Sequence, residues 1–218
     1  MADGRVEAPG LPAYERFEIR RRVRYVALGA TKAPEVWIAL HGYGQLAAYF
    51  ARPFRRLAGA HRRVLLPEAP SRFYLDDTYR RIGASWMTRE DREAEIADLV
   101  AYLDAFAAHA VPPGARLCGL GFSQGAHTLS RWAAFGHTPL HRLVLWGAGL
   151  PDDLDLAAHR GRLQPLTLVV GDDDHFLTPE RMAAHAQRVE AAALPCEVVR
   201  YDGDHRIDEA VLRQVLGA

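Results

Sequence analysis

The feature of this chain best suited to chemistry is a serine between glycines at fixed spacing. Residues 121–125 read Gly-Phe-Ser-Gln-Gly, with Ser123 at the centre. The apolar run 116–120 predicts a strand before the motif, and residues 126–135 predict a helix after it. Gly-x-Ser-x-Gly in this context is typical of a nucleophile elbow, which exposes a serine hydroxyl at a sheet edge. The pattern therefore predicts an enzyme that forms an acyl-serine; the alternative is a glycine-rich turn with an incidental serine.

A serine hydroxyl needs a nearby base and a third group that orients the base. Two later strand ends offer such groups: residues 171–175 read Gly-Asp-Asp-Asp-His, and residues 202–205 read Asp-Gly-Asp-His. His205 is the expected base, because it lies in a loop between the last predicted strand and a terminal helix. The three aspartates at 172–174 compete as the orienting acid, and periodicity does not separate them. A metal cluster at 172–175 is the alternative, although four adjacent residues on a turn rarely point at one ion.

An oxyanion formed at the serine needs two backbone N–H donors. The amide of Gln124 is one, because it opens the helix after the serine. Residues 39–45, Ala-Leu-His-Gly-Tyr-Gly-Gln, end an earlier strand in a glycine-bracketed turn, and the amide of Tyr43 is the expected second donor. His41 is interpreted as a structural hydrogen-bonding residue. Of the other histidines, we expect His127 to line the cleft, and His159 and His185 to face solvent.

Composition and charge limit the function classes. The chain has 218 residues, 27 basic and 27 acidic, so no global field favours nucleic acid or an anionic membrane. No apolar run is long enough to cross a bilayer, and the first residues lack the apolar core of a signal peptide. Cys118 and Cys196 are too few for a disulfide scaffold and are interpreted as reduced core residues. Together these observations favour a cytoplasmic protein.

Strand-length apolar runs alternate with helical patterns along the chain, which predicts an α/β fold: a mostly parallel sheet with helices on both faces. Residues 17–27 alternate apolar and charged side chains and predict an antiparallel edge strand, with its arginines interpreted as a solvated edge. Residues 46–57 and 89–109 predict helices, the second with Thr88 as N-cap. Residues 1–14 are expected to form a flexible leader, and residues 15–218 a single domain. Further strands are predicted at 36–40, 63–66, 142–146, 166–170 and 197–201, with a helix starting at Thr178.

Four motifs give the chain a resemblance to the phospholipase/carboxylesterase family of α/β-hydrolases, which includes acyl-protein thioesterases and small bacterial serine esterases. They are His-Gly-Tyr-Gly at 41–44, Gly-Phe-Ser-Gln-Gly at 121–125, Gly-x-x-Asp at 171–174 and Gly-x-His at 203–205. The resemblance implies the α/β-hydrolase fold, with Ser123 as nucleophile, Asp174 as the acid of the triad and His205 as base. It also implies that Tyr43 and Gln124 donate to the oxyanion. It is the resemblance that selects Asp174 over its two neighbours.

The chain departs from the family pattern around the expected pocket. Asp204 precedes His205 where many relatives have glycine, and the bulky Phe176 and Leu177 follow the acid, where they are expected to contact substrate. The connection 67–87 is long and aromatic, and we hypothesise that it forms a wall of the acyl groove with Trp86 near the serine. The alternative is that these aromatics only pack the loop down. The short segment between residues 146 and 166 leaves no room for a cap domain, so an open site is expected.

The sequence therefore predicts a serine carboxylesterase or thioesterase that acts on small acyl esters without a metal or organic cofactor. A peptidase or amidase of the same fold is the alternative within enzymes. A non-catalytic binding protein of this fold is the alternative outside them, and it is disfavoured because no member of the triad is missing. No nucleic-acid or membrane partner is expected, and the oligomeric state is left open.

Overall fold

A seven-stranded sheet forms the centre of the computed structural model, which describes residues 14–217. The strands of the chain are β1 Tyr25–Leu28, β2 Glu35–Leu40, β3 Arg62–Pro67, β4 Ser71–Tyr74, β5 Ile82–Ser85, β6 Arg116–Phe122, β7 Leu143–Trp146, β8 Leu166–Gly171 and β9 Cys196–Tyr201. The large sheet has the order β1-β3-β2-β6-β7-β8-β9. β1 runs antiparallel to β3, and every other neighbouring pair in this sheet is parallel. The α/β prediction is confirmed.

Helices cover both faces of this sheet, because its strands alternate two sets of apolar side chains. On β2, Val36, Ile38 and Leu40 pack with the long helices on one face, while Trp37 and Ala39 pack on the other face. The helices are α1 Ala47–Phe50, α2 Arg92–Ala110, α3 Gln124–Phe135, α4 Leu156–His159, α5 Pro179–Ala191 and α6 Glu209–Leu216. The first face carries α2, α3 and α5, and the second carries α1 and α6.

The antiparallel edge strand is present but is shorter than the predicted 17–27. β1 pairs with β3 from Tyr25 opposite Pro67 to Leu28 opposite Val64. Since β3 ends at Pro67, the residues before Tyr25 have no strand beside them, and residues 17–24 are exposed and irregular. The proposed leader at 1–14 lies outside the described residues except for Tyr14.

Two helix predictions also need correction. The predicted helix 46–57 divides into α1 and a 3₁₀ turn at Arg52–Phe54, because Pro53 has no N–H to continue an α-helix. α2 begins at Arg92, so Thr88 is not its N-cap. Thr88 instead donates its N–H to Glu95 and accepts from the Glu90 N–H, in a turn before the helix. By contrast, the Thr178 N-cap of α5 is confirmed, since its hydroxyl accepts from the Arg181 N–H.

The connection 67–87 is a β-hairpin, where the sequence indicated an irregular loop. β4 and β5 pair from Ser71 opposite Ser85 to Tyr74 opposite Ile82. A further bridge joins the hairpin to the turn after β2: the Gly44 N–H donates to the Ala84 carbonyl at 2.9 Å, and the Ala84 N–H donates to the Gln45 carbonyl at 3.1 Å. The hairpin is therefore held against that turn.

The segment between β7 and β8 contains only α4 and a short 3₁₀ turn, so the fold has no cap domain, as expected. Among the described residues, none of the helices is both long and apolar enough to cross a membrane.

Candidate active site

Ser123 occupies a strained turn between β6 and α3. Its φ of 54° and ψ of −117° lie in a region that residues other than glycine rarely adopt. Such strain costs about 1–3 kcal/mol and persists only where the surrounding structure enforces it. The Ser123 N–H donates to the Trp146 carbonyl at 2.8 Å, which ties the turn to the end of β7. The side chain is partly exposed at the carboxyl edge of the sheet, as the nucleophile-elbow prediction requires.

The two glycines of the motif are needed because the backbone is crowded on both sides of the serine. A Cβ on Gly121 would collide with the Gly125 carbonyl and the Ala126 backbone, and a Cβ on Gly125 would collide with the carbonyl oxygens of Leu40 and His41. The second collision involves the turn after β2. The small residues of the elbow therefore let α3 start directly beside that turn.

Asp174 and His205 form a hydrogen-bonded pair next to the elbow. His205 Nδ1 lies 2.7 Å from Asp174 Oδ2, and the Asp174 side chain is 1% exposed. The other carboxylate oxygen accepts the Phe176 N–H at 2.9 Å. A buried carboxylate at Nδ1 fixes the imidazole so that Nε2 points away from the acid. Ser123, Asp174 and His205 thus follow the ends of three different strands, β6, β8 and β9.

The neighbouring aspartates have other surroundings, which the sequence did not reveal. Asp172 pairs with Arg200 at 2.6 Å, and Asp173 is exposed. Asp204, the departure from the family pattern, is 64% exposed and pairs with Arg206 at 3.3 Å. The four side chains at 172–175 do not converge, and within residues 14–217 no cluster of three or more His, Cys, Asp and Glu side chains could hold a metal ion.

His205 is placed relative to the serine by Phe122 and Gly147. The ring centroids of Phe122 and His205 are 4.8 Å apart, and Phe122 directly precedes Ser123. Gly147 directly follows Trp146, the residue bonded to the Ser123 amide, and a Cβ at Gly147 would lie 2.8 Å from His205 Cε1. The imidazole therefore packs on the same backbone that holds the serine. Between the described residues there is no hydrogen bond from the Ser123 hydroxyl to His205, and hydrogen bonds of this kind often tighten only when substrate binds.

The backbone N–H groups of Tyr43 and Gln124 have no acceptor among the described residues. Gln124 is the first residue of α3, where a helix has no internal partner for its N–H. The Tyr43 turn is fixed by its neighbours, since the Gly42 N–H donates to the Gln45 side chain at 2.9 Å. His41 accepts the Ala69 N–H at Nε2 and donates from Nδ1 to the Gly42 carbonyl. Burial lowers the pKa of His41, so it stays neutral and structural.

The side chain of Gln124 makes hydrogen bonds that the sequence did not predict. Its oxygen accepts the Trp86 N–H at 3.0 Å, and its nitrogen donates to the Met87 carbonyl at 2.9 Å. It also donates to the Ser85 hydroxyl at 3.1 Å. The glutamine thus joins the elbow to the end of the β4–β5 hairpin. In the sequence, the only indication of this link is that a polar residue follows the serine.

The residues proposed to contact substrate are in different environments. Trp86 is 2% exposed, and its indole N–H donates to the His41 carbonyl at 2.8 Å. These contacts favour the alternative in which Trp86 packs the hairpin down. Phe176 is 50% exposed, and its ring centroid lies 4.5 Å from that of His205. Leu177 is partly buried against the core.

A cleft of about 660 Å³ opens beside His205. Phe122 and His205 line one side, and α1 and the turn after β2 line another. The β4–β5 hairpin closes the cleft through Leu75 and Ile82, so the hairpin does form a wall, although not through Trp86. Arg80, Arg81 and Arg206 also line the cleft.

Three histidines that were expected in the cleft or in solvent have other surroundings, and of these His159 is partly buried, with its ring centroid 5.0 Å from that of Phe135. His185 is 8% exposed, so the expectation that it faces solvent is wrong; it packs beside Gly149, where no side chain fills the space. His127 is partly buried within α3 and is not among the residues that line the cleft beside His205, and burial lowers its pKa to about 4. Arg131 nearby lowers that pKa further, and Asp153 opposes this effect.

No protein-family model and no curated protein matches this sequence. Solved structures do match. Acyl-protein thioesterase 2 of Zea mays is 18% identical over 90% of this chain and 96% of its own, with a TM-score of 0.64. Esterase PE8 is 19% identical over 89% of this chain and 100% of its own, with a TM-score of 0.68. A carboxylesterase of Mesorhizobium loti is 21% identical over 90% and 95%, with a TM-score of 0.66. The chain has the α/β-hydrolase fold, in agreement with the resemblance to phospholipase/carboxylesterase-type proteins.

Proposed function

We propose that this protein is a serine hydrolase that cleaves carboxylic esters or thioesters through an acyl-serine intermediate. The observation that carries the proposal is the buried Asp174–His205 pair, whose imidazole packs against Phe122 and Gly147 directly beside the Ser123 elbow. A base oriented by a buried carboxylate next to an exposed, strained serine is the arrangement that activates a hydroxyl. The similar structures named as esterases and a thioesterase support the same class.

In the first step, the Ser123 hydroxyl attacks the carbonyl carbon while His205 Nε2 takes its proton. Asp174 holds the tautomer and stabilises the imidazolium that forms. The negative charge on the carbonyl oxygen is accepted by the amides of Tyr43 and Gln124. Loss of one such donor typically costs about 2.7–4 kcal/mol of transition-state stabilisation. His205 then protonates the leaving alcohol or thiol, which completes acylation.

In the second step, water attacks the acyl-serine carbonyl. His205 removes a proton from this water, the same two amides bind the second oxyanion, and Ser123 leaves as its hydroxyl. The product acid is released through the open edge. Every proton transfer in both steps uses His205, and both oxyanions are bound by the two amides.

The substrate is proposed to be a small-molecule ester or thioester, because the cleft beside His205 is open and has no cap domain above it. A single domain over residues 15–218 and a cytoplasmic location stay predictions from the sequence.

The test combines active-site labelling with hydrolysis. We expect a fluorophosphonate probe to label the wild type on Ser123 and to leave Ser123→Ala unlabelled. Rates on nitrophenyl esters and acyl-thioesters of increasing length should fall by about 10⁶-fold in Ser123→Ala and by about 10⁴-fold in Asp174→Asn, where the histidine tautomer is lost. Ser130→Ala is the matched control, since Ser130 is buried on α3 and donates to the Ala126 carbonyl. Labelling of the Ser123→Ala variant, or unchanged hydrolysis by it, would contradict the proposal.

A further inference from the structure

Three arginines line the cleft beside the proposed catalytic base, and no aspartate or glutamate of the described residues lines it with them. They are Arg80 and Arg81 of the hairpin and Arg206, which directly follows His205. The protein as a whole carries equal numbers of basic and acidic residues, 27 of each. The positive character of this cleft is therefore local and is not a consequence of net charge.

The hairpin fixes where Arg80 and Arg81 lie. The Leu75 N–H donates to the Arg81 carbonyl at 2.8 Å and closes the end of the hairpin. The turn is ordered further by Asp76, which accepts the Thr78 hydroxyl at 2.6 Å and the Arg80 N–H. The other end of the hairpin is bridged to the turn after β2. Hydrogen bonds at both ends of the hairpin therefore fix the backbone of the two arginines beside the cleft.

Carboxylates of the described residues neutralise only part of the positive charge of these three arginines. Arg206 is offset by Asp204 at 3.3 Å, and Asp76 lies near enough to interact electrostatically with Arg81. Neither Arg80 nor Arg81 forms an ion pair with a carboxylate of residues 14–217. Both side chains are exposed, so their charge is available to a ligand that enters the cleft.

The floor of the cleft is apolar. Phe50 and Phe122 are nearly buried there, at 6% and 5% exposed, and Leu75 and Ile82 expose apolar surface from the hairpin. An apolar floor under a cationic rim fits a molecule with a hydrocarbon body and a terminal anion. Arginine is well suited to bind such an anion, since its planar guanidinium donates two parallel hydrogen bonds to a carboxylate or phosphate.

We propose that this cleft selects esters that carry an anionic group, a carboxylate or phosphate, on the part of the substrate held between the hairpin and Arg206. The inference rests on the proposed function for its catalytic readout and adds the chemical class of the substrate. The anion belongs either to the acyl chain or to the leaving group, and the test separates these two sources.

Matched substrates provide the test. For the acyl side, the nitrophenyl monoester of suberic acid is compared with its neutral methyl-capped diester. For the leaving-group side, acetoxybenzoate is compared with its methyl ester. In the wild type we expect kcat/KM for the anionic member of one pair to exceed kcat/KM for the neutral member by roughly tenfold. A few exposed ion pairs supply enough binding free energy for a ratio of this size. This preference should fall as ionic strength rises from about 0.05 to 0.5 M, because exposed charges are screened.

Variants then assign the preference to the arginines. Arg80→Gln/Arg81→Gln should lower the ratio of anionic to neutral kcat/KM about fivefold, and Arg80→Glu/Arg81→Glu should lower it further or invert it. Arg213→Gln is the control for a loss of positive charge away from the cleft, because it removes one arginine charge from the exposed surface of α6. α6 ends beside the amino ends of β3 and β7, where its last carbonyls accept from Arg62 and Arg142. The ratio of anionic to neutral kcat/KM in Arg213→Gln should equal the ratio in the wild type.

The outcomes separate the two proposals. Ser123-dependent hydrolysis with equal kcat/KM for both members of each pair would overturn the inference and leave the proposed function standing. If no ester is hydrolysed, the proposed function fails, and calorimetry with phenylbutyrate and its neutral amide then decides on the cleft. Tighter binding of the anion that is lost in Arg80→Gln/Arg81→Gln would support an anion-binding cleft, and equal binding of the two would overturn it.

Discussion

Replacement of Gly147 by alanine tests the placement of His205 without changing any residue of the proposed triad. Gly147 follows β7 with a φ of 66°, and its N–H donates to the Val169 carbonyl at 2.9 Å. The backbone at this position is therefore held in the sheet. An alanine Cβ would lie 2.8 Å from His205 Cε1, 3.0 Å from Nδ1 and 3.3 Å from Asp174 Oδ2.

Two separate costs follow from these contacts. The left-handed backbone costs alanine about 1–2 kcal/mol of folding free energy, which lowers the Tm of a chain of this size by about 2–8 °C. In addition, the imidazole must move by about 0.6 Å to reach an ordinary contact of 3.4 Å. A misplacement of about 1 Å costs up to about 10²-fold in rate. We therefore expect kcat/KM to fall by about 10- to 100-fold.

Gly114→Ala is the matched control, because Gly114 also has a left-handed backbone, with φ of 79°, but nothing lies within 4 Å of its added Cβ. The Tm of Gly114→Ala should fall by about as much as the Tm of Gly147→Ala, while its kcat/KM should stay at the wild-type value. The assay is hydrolysis of a short nitrophenyl ester together with the rate of fluorophosphonate labelling, both measured well below the Tm of each variant. A folded Gly147→Ala protein with kcat/KM within about twofold of the wild type would refute the reasoning that His205 works from this position.

Two further predictions concern stability. Gln124→Leu leaves the buried Trp86 backbone N–H without its partner and removes one of two donors to the Met87 carbonyl, which still accepts from the Ser85 hydroxyl. An unsatisfied buried group costs about 1–3 kcal/mol, so thermal denaturation should show a Tm lower by at least about 2 °C, whereas an unchanged Tm would show that this side chain does not hold the hairpin. Burial lowers the pKa of His127 from 6.5 to about 4. Between pH 6.5 and pH 4, this histidine is therefore protonated in the unfolded chain but not in the folded protein. The free energy of unfolding consequently falls as the pH drops from 6.5 towards 4. Urea titrations should show that His127→Gln removes up to about 3 kcal/mol of this fall, and an identical pH dependence in the two proteins would contradict the assignment.

The elbow shows how much a local pattern can predict. Gly-Phe-Ser-Gln-Gly between an apolar run and a helical pattern predicted a tight turn, and Ser123 has the expected strained backbone. This was possible because the collision that excludes side chains at Gly121 arises largely within the turn itself, between residues close in sequence. The strands and α5 were predictable for the same reason, since their apolar periods and caps are local.

The acid partner and the edge strand show where local reasoning fails. Nothing in the sequence pattern of 172–174 separates three adjacent aspartates. The structure separates them by distant contacts, because Asp172 pairs with Arg200 of β9 while Asp174 is buried against His205. The length of β1 was likewise set by its partner β3, and the hairpin at 71–85 by its bridge to the turn after β2. Each of these depends on residues that are far away in the chain.

The sequence by itself determined the fold class, the elbow and the positions at which Ser123, His205 and the glycine turn would follow strands, because periodicity and turn chemistry act over a few residues. Only the tertiary structure showed that Asp174 bonds to His205 while its two neighbours do not, that Gly147 supports the imidazole, and that Trp86 is buried beneath the site. It also placed Arg80 and Arg81 over the cleft. Those outcomes depend on which strands lie side by side, and strand order is set by the packing of the whole chain.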